Sequence, residues 1–187
     1  TMFMGGSKLE KEDIDAIKRT QGVEQVLPMA QDSGVARYRE ESKTVFIAGV
    51  PLKEGENLLV NFQGWSLESG RFPHLCQREV IIGQQVSKES FKKDIKSNTE
   101  INIKGKKFTV TGISNSLGSK SDDSAIYMDM PLFDELTGIK RGSAQMALVK
   151  IIEGVNAEKA AEDIKESMQE TRKRRMGSDT LDFSVIT

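Results

Sequence analysis

The chain has 187 residues, 37% hydrophobic and 29% charged, enough to bury one core or two interlocked ones and too apolar for a disordered chain. Its 27 basic and 28 acidic residues leave a formal net charge of −1, so no global field draws nucleic acid or anionic lipid and any electrostatic contact must be local. The single cysteine, Cys76, excludes an internal disulfide and a cysteine-rich zinc site.

The longest apolar runs, such as Ala144–Val149, fall far short of the roughly 20 residues that span a bilayer. Thr1–Gly6 lacks the basic region and apolar stretch of a signal peptide, and the chain reads as a segment trimmed from something longer. Ile14 and Ile17, one turn apart, predict a helix from about Ser7 to Gln21, with Ser7 and Glu10 spaced as a capping box and Gly22 as its stop. Val23–Pro28, Gly34–Tyr38 and the β-branched Thr44–Val50 read as strands.

From Pro51 to Pro73 the composition turns loop-like, with Phe62 and Trp65 as isolated anchors. Glu79–Ile82 is a short strand closed by Gly83, and Gln84–Phe91 suits a helix. Thr99–Ile103 and Lys107–Ile113 alternate in polarity about Lys104-Gly105-Lys106 and predict a β-hairpin. Asn115–Ser124 is Ser, Gly and Asp in composition and predicts a mobile loop. A strand over Ala125–Met130 leads into a short helix begun by Pro131 and stopped by Gly138. After a strand over Ala144–Ile152, Asn156 caps a helix running to about Arg175, whose Ala160, Ala161, Ile164 and Met168 share a face. Gly177 ends it, and Phe183–Thr187 is a last strand.

Mixed helices and alternating strands make the class α+β. Each end of the chain has an amphipathic helix, a glycine and a strand, which suggests two related half-units with the middle of the chain inserted between them.

The residues offer little chemistry. His74, the only histidine, stands two residues from Cys76, and two ligands do not make a zinc site. A Ser-His-Asp triad would also need His74, and no G-x-S-x-G elbow is present. Asp122-Asp123 lacks the alternating ligands of a calcium loop, and neither glycine-rich phosphate motif occurs. Arg172-Lys173-Arg174-Arg175 is the sharpest charge cluster, but it falls in the last turn of a predicted helix that carries Glu162, Glu166 and Glu170, which reads as a solvated helix end. No metal, cofactor or catalytic residue is assigned. Phe62, Trp65 and Phe72 are candidates for a partner contact, since aromatics anchor interfaces; the alternative is that they form the core of a loop-rich region.

The order of elements is informative in itself. Glu68-Ser69-Gly70-Arg71-Phe72, then Glu79-Val80-Ile81-Ile82-Gly83, then Phe91, then the hairpin Ile101–Ile113 resembles the extracytoplasmic core domain of ABC transporter permeases of the MacB/LolC/FtsX type. Ile14–Val26, Gly49-Val50, Asp122–Leu136 and Phe183–Thr187 resemble the flanking parts of that domain. Two positions depart from the family pattern: Asn98 stands where glycine usually precedes the first hairpin strand, and Pro51 follows Gly49-Val50 without the usual Asp.

The resemblance implies a mixed α/β "porter" subdomain from residues 1–60 and 125–187 and a mainly β "sabre" subdomain from 61–124. It implies a non-catalytic domain between two membrane helices on the extracytoplasmic side of the cytoplasmic membrane. Its implied partners are a cytoplasmic ABC ATPase, a second permease subunit, and an extracytoplasmic adaptor or substrate to which ATP-driven motion is transmitted. A free-standing extracytoplasmic binding protein for a peptide or small ligand, using the Trp65 region, is the alternative. The permease reading requires both chain ends to emerge on one face.

Overall fold

The structure, a computed structural model, describes residues 2–52, 60, 64–75, 77–176 and 183–186. In chain order its elements are β1 (Met2–Leu9), α1 (Lys11–Arg19), β2 (Val23–Tyr38), β3 (Glu41–Val50), β4 (Leu67–Gly70), β5 (Glu79–Ile82), α2 (Gln84–Lys88), β6 (Thr99–Ile103), β7 (Lys106–Ser114), α3 (Lys120–Asp123), β8 (Ala125–Asp129), α4 (Met130–Thr137), β9 (Ala144–Ile151), α5 (Ala157–Met176) and β10 (Phe183–Ile186). They form two compact units, Thr1–Ala30 with Lys140–Thr187, and Gln31–Ile139.

The first unit begins on a strand where the sequence predicts a helix. Residues Ser7 to Leu9 belong to β1, and α1 starts at Lys11 behind Glu10, whose N–H donates to Asp13 Oδ2 at 3.0 Å. The capping pair is therefore Glu10 and Asp13, three residues later in register than Ser7 and Glu10. Four strands pair antiparallel in the order β10-β1-β9-β2. This is the split β-α-β arrangement, two half-units of strand, helix and strand interleaved in one sheet. Ile14 and Ile17 of α1 and Ala160, Ala161, Ile164 and Met168 of α5 pack with Leu9, Val26, Ala147 and Val149 of the sheet in one core. The side-chain amide of Asn156 accepts the N–H of Lys159 at 2.9 Å and starts α5.

In the second unit the strand pairings close on themselves. β2 pairs with β3, β3 runs parallel to β8 from Phe46 opposite Ala125 to Val50 opposite Asp129, and β8 lies antiparallel to β5. β5 then runs parallel to β7, β7 forms the predicted hairpin with β6, and β6 returns to β2 at Ala36 opposite Ile103. Six strands thus make a ring with no free edge among them, and β4 adds to β7 at Gly112–Ser114. Ile47, Val80, Ile82, Ile101, Ile103 and Val110 are fully buried.

The expected subdomain limits at 60/61 and 124/125 fall inside this second unit. The compact units divide at 30/31 and 139/140, and β3 and β8 are joined by a five-residue parallel pairing inside the second of them. The two strands expected at Val23–Pro28 and Gly34–Tyr38 are one 16-residue strand. The loop expected over Asn115–Ser124 contains α3, held where Asp123 accepts Ser116 Oγ at 2.6 Å and the N–H of Leu117 at 2.7 Å. The loop-like stretch before Pro73 contains β4. The helix begun at Gln84 ends at Lys88, before Phe91, whose ring meets Tyr38 edge-on.

Candidate functional site at the paired chain ends

β1 and β10 are hydrogen-bonded neighbours, with Phe3 opposite Ile186, Met4 opposite Val185, Gly5 opposite Ser184 and Gly6 opposite Phe183. Because the pair is antiparallel, the start of β1 and the end of β10 lie at the same end of the sheet. Directly opposed Cα atoms in such a pair are about 4.5–5.5 Å apart. Met2 and Ile186, the outer residues of these two strands, therefore lie at one end of this unit's sheet.

Behind these strands lies a buried ion pair. Arg172, on the last turns of α5, donates through Nη2 to Asp13 Oδ2 at 3.0 Å and through Nε to Asp13 Oδ1 at 3.3 Å. The Asp13 side chain is fully buried and that of Arg172 is 7% exposed. The same Nη2 donates to the carbonyl of Lys8 at 3.4 Å, and Arg175 Nη2 stands 3.7 Å from Asp13 Oδ2. One guanidinium therefore joins the end of β1, the first turn of α1 and the last turns of α5. Two-pronged contact and additional donors are what a buried ion pair needs to offset its desolvation.

The reading of Arg172–Arg175 as a solvated helix end fails at Arg172 for this reason. Arg174 keeps that character: it is exposed and pairs with Glu170 at 3.0 Å, one turn away. The sequence carries a signal for this, because Ile164, Met168 and Arg172 recur every four residues and set the arginine on the apolar face.

In the second unit, Gly70 and Arg71 form a second polar junction. Gly70 has φ +84°, and a Cβ there would stand 2.0 Å from the carbonyl oxygen of Thr111, so glycine is required. Arg71 then donates through both terminal nitrogens to Glu79, at 2.7 and 2.8 Å, and Glu79 also accepts the N–H of His74 at 2.8 Å. The Arg71 guanidinium, with His74 assisting, holds the Glu79 carboxyl well below the usual carboxylate range, at about 2. Both junctions are held by paired charges.

Trp65 is buried, its ring meeting Tyr127 edge-on with centroids 4.5 Å apart. Phe72 is half-buried, and Phe62 lies outside the described residues, as does Cys76. The His74 side chain is 65% exposed, with Nδ1 3.3 Å from Glu79. Asp122 offers its backbone carbonyl to the Tyr127 hydroxyl at 2.9 Å. Among the described residues no group of three or more His, Cys, Asp and Glu side chains is placed to hold a metal ion, and no helix is long and apolar enough to cross a membrane.

Known proteins share this fold. The family model described as MacB-like periplasmic core domain matches residues 2–167. An uncharacterized ABC transporter permease of Methanocaldococcus jannaschii is 31% identical over 179 residues, which is 95% of this chain and 43% of that protein. The chain therefore spans less than half the length of this curated relative. The extracellular domain of the ABC-type transporter YknZ from Gram-positive bacteria superposes with a TM-score of 0.76 at 16% identity, over 100% of both chains. The periplasmic region of MacB from Actinobacillus actinomycetemcomitans superposes with a TM-score of 0.74 at 17% identity, over 100% of this chain and 87% of that one.

Proposed function

Because this chain belongs to the MacB-like periplasmic core domain family, we propose that it is the extracytoplasmic part of an ABC transporter permease and carries ATP-driven motion from the membrane to a substrate or an extracytoplasmic partner. The observation that carries the reading is the pairing of Phe3 with Ile186. A domain set between two neighbouring membrane segments must send both ends toward the membrane at one place, and the β1–β10 pairing supports that requirement. ATP binding and hydrolysis belong, on this reading, to a cytoplasmic ATPase that serves a dimer of permease subunits, and the domain itself is non-catalytic.

The first unit takes the porter role and the second the sabre role. Interleaved half-units around one core make the first a firm base at the ends. The closed ring of the second suits a body that moves as a piece, since it offers no free edge among its six strands for pairing elsewhere. A ligand-binding protein built around Trp65 finds less support, because that ring is spent on Tyr127.

The placement is tested in the full-length protein with Cys76 replaced by serine and a single cysteine at exposed Lys93. A membrane-impermeant maleimide is expected to label it from outside intact cells. Labelling only after the cells are opened would contradict the placement.

A further inference from the structure

We infer that β10 is a strap that peels from β1 when the chain ends are pulled apart, and that the Asp13–Arg172 clasp is the stop at which the peeling ends. The inference rests on the reading that these ends carry load. The geometry supports the two parts separately.

The strap follows from the pairing. With Phe3 opposite Ile186 at the open end, separation of the ends loads the β1–β10 ladder one rung at a time instead of along its whole length. The two strands are not equally held. β1 has a second neighbour, β9, with Met2 opposite Val149 and Phe3 opposite Leu148, whereas β10 closes the sheet at its edge. The strand that leaves is therefore β10, and the rung at Gly6 and Phe183 is the last to part.

The stop lies just beyond that rung. The pairing of β1 with β9 loses its regular register between Gly5 and Leu9, so backbone hydrogen bonding alone is weakest where the peeling would arrive. There Arg172 takes over, holding the Lys8 carbonyl and Asp13 together. Parting them would strand a fully buried carboxylate, a far larger penalty than any single rung. Arg172 precedes β10 in the chain, so load reaching it along the freed strap meets a contact fixed to α1, whose Ile14 and Ile17 lie in the core.

Pulling the 187-residue chain by handles at its two ends in an optical trap tests this. The expected record is a short, reversible extension at low force, followed by a separate and larger event when the first unit opens. Arg172→Met is expected to leave the short step where it is and shift the larger event to lower force, toward the first. Arg172→Lys, which keeps the charge but not the two-nitrogen grip, is expected to shift it part of the way and serves if Arg172→Met does not fold. Absence of the early step would overturn the strap, and a larger event unmoved in both variants would overturn the stop. Failure of the motion-transmitting reading would show instead in the intact transporter, as domains indifferent to nucleotide while this trap record stands.

Discussion

Asp13 and Arg172 lie 159 positions apart in the chain and meet with 3.0 Å between carboxylate and guanidinium, both out of solvent. Removing one partner of such a pair leaves an uncompensated buried charge, which costs about 3–5 kcal/mol. Arg172→Ala is expected to destabilise the first unit by that amount. Asp13→Asn with Arg172→Met, which removes both charges at similar volume, is expected to recover part of the loss. Denaturant unfolding of the three proteins checks the order.

Glu79 gives a pH dependence with a definite sign. Its folded-state carboxyl titrates at about 2 against an ordinary 4.5, chiefly because Arg71 donates to it. A depressed carboxyl contributes stability that is present above pH 4.5 and lost as the pH falls toward 2. Melting temperature followed over that window should fall more steeply in the parent protein than in Glu79→Gln, which lacks the titrating group and starts lower at neutral pH.

Gly49 and Phe133 are in close contact. A Cβ at Gly49 would stand 2.5 Å from Phe133 Cγ, and the phenylalanine ring is fully buried where α4 packs on β3. Gly49→Ala is expected to cost about 1–3 kcal/mol through overpacking. Gly49→Ala with Phe133→Leu should regain some of it, read again by denaturant unfolding.

Trp65 is the only tryptophan, so its fluorescence reports the packing of the second unit. Trp65→Phe is expected to lower stability modestly, and Trp65→Ala by about 3–5 kcal/mol through the cavity it leaves against Tyr127. A loss of partner binding with unchanged unfolding would make Trp65 a partner contact instead.

Local signals in the sequence were dependable where the chain punctuates itself. The hairpin about Gly105, the helix between Pro131 and Gly138, and the cap at Asn156 lie where turn and cap chemistry put them. The α+β class and the half-unit echo of the two ends followed from the same reasoning. What the sequence hid is non-local. β1, with its Gly5-Gly6, has weak strand propensity and is a strand because β9 and β10 flank it. The β3–β8 pairing joins segments far apart in the chain, which composition does not reveal. Arg172 looked like one member of a basic run, and only the fold supplies Asp13. The resemblance implies chain ends on one face, whereas the strand pairing between them and the clasp behind it are legible only in the structure.

Motion that follows nucleotide is the central claim, and distance measurement between spin labels tests it most directly. On the proposed reading, a single label at Lys93 in each copy of the full-length protein, with Cys76 replaced by serine and a cytoplasmic ATPase assembled with it, would report the separation of two such domains. The distance distribution is predicted to differ between the ATP-bound and ADP-bound states. One unchanging distribution in a transporter that is hydrolysing ATP would contradict the account.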